Sequence, residues 1–261
     1  MTDSDVLAEL RRIRELQERI ALFTATEHCQ ILIQAATYNR QQGNISTAIN
    51  ILEQIIESRE PLFTATALLT LLDIYQRLGL SKEEKETSKR ILDLPELTKG
   101  LVPPAAMGVV YQRAGDLEKA KQTYIRGVRL GGPSAAGIEQ NLAELLLIKG
   151  DLSDALPLAE RSIARPEAGH QIIGHYLKAM ALWKSGNVQG SIDEFRWIGQ
   201  YLTSLGAVPA DFNWSFDDAA HLLSEVALPE ARLVLKVLKQ EIDFPTFKSK
   251  WQELTQAAPT V

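Results

Sequence analysis

The 261-residue sequence has a single cysteine, Cys29, which excludes an intrachain disulfide and leads us to expect a reducing compartment. No spacing of that cysteine with His28, His170, His175 or His221 matches a zinc site. No apolar run approaches the roughly 20 residues of a membrane span. The opening MTDSDVLAELRRIRE lacks the basic start and apolar core of a secretory signal, so a soluble, cytoplasmic protein with no membrane partner is expected. An excess of positive charge is missing too: 28 Lys and Arg stand against 33 Asp and Glu, a net charge of −5. Nucleic-acid binding generally needs a basic face, and no nucleic-acid partner is expected. What is abundant is apolar content, 45%, ample for packing one or two domains.

Signs of catalysis are also sparse. There is no GxxxxGK[ST], and GGPSAAG at Gly131 to Gly137 lacks the lysine and the preceding strand of a phosphate loop. It reads as a loop before a helix. His170 and His175 are five apart, on different faces of a helix, and His28 beside Cys29 reads as packing or surface. LAELL at Leu142 to Leu146 has the form of a receptor-binding peptide, but its leucines read as core. No constellation of nucleophile, base and orienter is visible, so no catalytic residue, cofactor or metal is assigned.

What the sequence does contain is repetition. YQRLG at Tyr75 to Gly79 returns as YQRAG at Tyr111 to Gly115, and Gly43, Gly79, Gly115, Gly150 and Gly186 are spaced by 36, 36, 35 and 36 residues. A constant period of this size indicates an array of helical supersecondary units. Before each glycine an apolar stripe recurs, as in Leu68, Leu71, Leu72 and Tyr75. The glycine ends that helix, and Asp116 or Asp151 can cap the next. Five residues past the glycine a small residue returns: Ala48, Ala120, Ala155 and Ser191. Pro61, Pro95, Pro133 and Pro166 punctuate the linkers.

This pattern resembles the tetratricopeptide repeat family, whose unit is two antiparallel helices with small, aromatic and proline residues at set places. The third repeat fits best, with Gly108, Tyr111, Ala120, Tyr124 and Pro133. The first supplies Ala36 and Ala48, the fourth Ala143 and Ala155, the fifth Ala179 and Phe195. Glu84 stands where the second repeat should be small, and the family's early tryptophan is absent. The resemblance, over roughly residues 25–205, implies an all-α fold: a right-handed superhelical array of about five helix pairs with a concave groove. The related pentatricopeptide arrays read RNA and are usually basic, which the acidic balance here disfavours.

Both ends fall outside the period. Residues 1–24 are expected to form an amphipathic helix with Val6, Leu10, Ile13, Leu16, Ile20 and Phe23 on one stripe, capped by Asp3 or Ser4. It packs on the first repeat or, as the alternative, self-associates through a short seam on which Gln17 is unfavourable. LFTAT occurs at Leu22 to Thr26 and again at Leu62 to Thr66; Phe23 and Phe63 read as staples before helix starts capped by Thr. Residues 206–261 are expected to supply capping helices, one after an N-cap at Ser215 and others opened by Pro229 and Pro245.

Candidate binding residues follow from helix geometry. A residue two beyond the packed Tyr75 or Tyr111 is turned by about 200°, which points Arg77 and Arg113 away from the second helix. In the family, that opposite face lines the groove. Gln76 and Gln112 flank it, Arg40 with Gln41 occupies the matching place in the first repeat, and Asp73 sits one turn from Arg77. Arginine offers a planar fork to carboxylates, which suits a protein or peptide partner with acidic groups. In the fourth repeat Asn141 faces the groove. In the fifth, Tyr176, Met180 and Trp183 follow i, i+4, i+7 on the same face and are expected to anchor apolar groups of the partner. The family's carboxylate clamp for chaperone tails is not expected: Ile33, Thr37, Leu69, Thr70 and Ala106 stand at its other positions.

Overall fold

The computed structural model describes residues 3–58, 60–94, 102–212, 226 and 228–257. Among them are twelve α-helices and no strand. The chain divides into two compact units, Met1–Leu101 and Val102–Val261.

The first unit holds α1 (Asp3–Gln41), α2 (Ile45–Glu57), α3 (Pro61–Leu78) and α4 (Ser81–Leu92). Each helix packs on the next in sequence, as short connections between antiparallel neighbours require. Its core gathers Cys29 and Ala36 from α1, Leu52 and Ile55 from α2, and Ala67, Leu71 and Ile74 from α3. Helix α1 is uninterrupted across the expected boundary near residue 24. Neither glycine nor proline occurs between residues 3 and 42, and Thr alone does not stop a helix. The expected Thr-capped helix start after Phe23 is therefore absent. The second one is corrected as well, since α3 begins at Pro61 with Glu60 as N-cap. The side chains of Val6, Leu10, Ile13, Leu16, Ile20 and Phe23 lie outside the described residues.

The second unit holds three more pairs: α5 (Pro104–Ala114) with α6 (Leu117–Leu130), α7 (Ala135–Lys149) with α8 (Leu152–Ile163), and α9 (Ala168–Lys184) with α10 (Val188–Leu205). Two further helices, α11 (Pro229–Leu238) and α12 (Phe244–Ala257), follow. Pro229 opens α11 and Pro245 lies in the first turn of α12, both as expected from the missing amide. The expected cap at Ser215 and the linker at Pro95 lie outside the described residues.

The period has a backbone cause. Gly115 has φ 90°, its amide donates to the Gln112 carbonyl, and the next amide, of Asp116, donates to the Tyr111 carbonyl. This closure satisfies helix-end carbonyls only if the residue adopts the left-handed conformation, which costs glycine least. The amides of Asn44, Leu80, Asp151 and Asn187 close the other four turns in the same way. Past the turn, the small-residue positions Ala48, Ala120, Ala155 and Ser191 are all buried, so paired helices approach closely. Glu84 is buried at the corresponding place in the second repeat. In the third, Tyr124 lies so close to Gly108 that a β-carbon there would sit 2.1 Å from the ring. Asp116 caps α6 by accepting from the Lys119 amide. Asp151 makes no such side-chain cap, and its carboxylate pairs with Lys121 instead.

Candidate partner-binding site

In the first unit the division of labour within YQRLG follows from helix rotation. Tyr75 packs against the core; burial pushes its phenol up, the Glu53 carboxylate adds to this, and Arg90 opposes it. Glu53 and Arg90 belong to the second helices α2 and α4 and meet in a two-pronged ion pair, both contacts 2.9 Å. Arg77, two residues on, faces away with 71% of its side chain exposed. Its Nε donates to both Asp73 oxygens, at 3.1 and 3.2 Å. Arg40, from the last turn of α1, donates to the same carboxylate at 2.8 Å.

Two cations thus share one anion at matching heights of α1 and α3. The group carries a net positive charge, with Arg77 reaching furthest into solvent. Gln76 is half-buried beside it and Gln41 is exposed. The spacing of Arg77 from Asp73 was readable as an i, i+4 pair. That Arg40 joins them across 33 residues was not.

The second unit does not repeat this arrangement. Tyr111 packs on the core with Lys119 above its ring. Gln112 accepts a hydrogen bond from the buried Tyr124 hydroxyl at 3.0 Å, so its carboxamide braces α6. Arg113 is half-buried, with its Nε out of solvent, and is not the free counterpart of Arg77. In α7, Asn141 is half-buried. Its neighbour Gln140 is buried and donates to the Ser162 hydroxyl at 2.6 Å, with the His170 ring at 2.9 Å.

The expected apolar anchor is corrected. Tyr176 is 3% exposed and Met180 0%; Trp183 packs against the same core. Tyr176 meets Phe195 of α10 edge-on, and its phenol is pushed well up by burial, with Glu144 contributing. The physical reason is that α9 is packed on three sides, by α7, α8 and α10. After α10 the backbone returns to the start of α9, where the Gly169 amide donates to the Asp211 carboxylate at 3.0 Å. Val226 and the apolar faces of α11 and α12 join the same core as Tyr176 and Met180.

One polar cluster had no sequence signal. His175 stacks on Trp197 with ring centres 3.5 Å apart, and its Nδ1 lies 2.5 Å from Glu194. Lys178 holds the other Glu194 oxygen at 3.0 Å. Burial alone would raise the Glu194 carboxyl, but the hydrogen bonds and charges of His175 and Lys178 outweigh it and leave it below its ordinary range.

Among the described residues, no group of three or more potential ligands converges to hold a metal ion, and no helix is long and apolar enough to cross a membrane. Residues 106–169, from α5 into the start of α9, match the tetratricopeptide repeat family. No curated protein matches the chain.

Proposed function

Taking residues 106–169 as tetratricopeptide repeats, we propose that the chain is a non-catalytic scaffold that holds a protein or peptide partner, working in the cytoplasm. The observation carrying this reading is the shared carboxylate of Asp73. It aligns Arg40 and Arg77 on one face and leaves one positive charge unmatched. Such a group steers acidic partner segments, because exposed ion pairs contribute only about 0.2–1 kcal/mol each and act more on partner choice and encounter rate than on affinity.

The test is affinity capture from cell extract with the native chain, the Arg40→Gln/Arg77→Gln double variant and Asp73→Asn. Native bait should enrich partners with acidic segments in a salt-sensitive manner. The double variant should lose them, and Asp73→Asn, which removes the negative charge between the two arginines, should retain or increase them. An identical captured set from folded double variant and native chain overturns the assignment of the two arginines.

A second reading, self-association, is favoured by the length of α1. It runs 39 residues against 13 in its partner α2, so roughly 39 Å of it extends beyond the length α2 can cover. Light scattering over a dilution series decides: a constant monomer mass excludes this reading, and a dimer that Leu10→Lys dissociates supports it.

A further inference from the structure

Helices α6 and α8 both pack on α7, and an open depression of about 250 Å³ lies between them. Leu142 and Leu146 of α7 line it, with Ile125 of α6 and Leu158 of α8 beside them. Its volume is below the roughly 300 Å³ at which small-molecule sites begin, so it suits a side chain better than a cofactor.

The rim is chemically lopsided. At one end Lys121 pairs with Asp151 at 3.2 Å; at the other Arg161 and Arg165 share Glu139, at 3.2 and 2.9 Å, which leaves one positive charge unmatched there. At the first end of α8, by contrast, acceptors are in surplus. The Asp154 carboxylate, exposed on the rim, has no partner among the described residues. Pro157, inside α8, has no N–H, so the Ser153 carbonyl lacks the donor an α-helix ordinarily supplies four residues on. Counting Asp151 and Asp154 against Lys121, this end carries one unmatched negative charge. Arg161 stands two turns further along, roughly 10 Å away.

We propose that this depression is a second docking site, which takes an aliphatic side chain and an adjacent guanidinium or ammonium group from a partner polypeptide. The aliphatic group covers Leu142 and Leu146, and the cation donates to Asp154 and to the carbonyl that Pro157 leaves short of a donor. The site belongs to α6, α7 and α8 and shares no residue with the Arg40–Asp73–Arg77 group, so the two assignments stand or fall separately.

The test is an NMR titration of the ¹⁵N-labelled full chain with N-acetyl-Leu-Arg-amide. Two companions serve as controls: the same dipeptide with citrulline, which keeps the shape of arginine without its charge, and N-acetyl-Leu-Glu-amide. Saturable shifts are expected in residues 121–125, 142–146 and 153–161. Citrulline should bind about three- to fivefold more weakly, in line with the upper range for an exposed ion pair, and the glutamate peptide more weakly still. Asp154→Asn should remove the arginine preference, and Pro157→Ala, which restores the missing donor, should reduce it. Absent or unsaturable shifts, equal affinity for arginine and citrulline, or tighter binding of the glutamate peptide would each overturn the proposal. The citrulline comparison needs no substitution and is independent of any effect on folding.

Discussion

Gly108 of α5 and Tyr124 of α6 share one volume: a β-carbon at 108 would fall 2.1 Å from Tyr124 Cε1 and 2.7 Å from Cζ. The ring cannot withdraw easily, since Tyr124 is fully buried and its hydroxyl is tied to Gln112.

Gly108→Ala should therefore destabilise the chain by about 1–3 kcal/mol, the usual cost of overpacking. Helix propensity alone predicts the reverse sign, since Ala is favoured over Gly by about 1 kcal/mol. Urea unfolding separates the two, and a stabilised variant would show that α5 and α6 are not in this register.

Gly115→Ala tests the repeat turn itself. With φ at 90°, a β-carbon meets no crowding, so any loss comes from backbone conformation. A loss of about 1–2 kcal/mol is expected, measured in the same unfolding experiment. A neutral result would remove the physical reason for the spacing of the five glycines.

Met180→Ala distinguishes core from docking surface. A buried methionine cut to Ala costs about 2–5 kcal/mol, whereas a solvent-facing anchor costs little until a partner is present. A large fall in thermal midpoint without any partner is the expected outcome.

Acid should weaken the α9–α10 junction through Glu194. Its carboxyl is held below the ordinary value on folding, so its stabilising contribution is fully present above the unfolded-state value of about 4.3 and is lost as pH falls through the folded-state value. Thermal midpoints measured from pH 7 to pH 3 should drop more steeply for the native chain than for Glu194→Gln. Parallel curves would assign the acid sensitivity elsewhere.

The helix pairs were legible in the residues because their signals are local. A glycine that must turn left-handed, an alanine five residues on and an apolar stripe all act within one unit, and each repeat states them again. Local signals also misled. The threonines of LFTAT read as helix starts, yet with no glycine or proline nearby Thr24 and Thr26 are carried inside α1. Helix rotation turned Arg77 away from Tyr75, but the same rotation applied to Arg113 could not foresee that its Nε would be out of solvent.

The sequence by itself determined helical content, the period and the inward side of each leading helix, because these depend on backbone conformation and on neighbours within a few residues. Tertiary structure alone decided which outward sides remain open. Tyr176 and Met180 are buried in α9, on which α7, α8 and α10 all pack, with Phe195 of α10 edge-on to the Tyr176 ring, while Arg77 remains in solvent. Burial of an outward side is set by how helices of neighbouring repeats pack on it, and no spacing within one repeat encodes that packing.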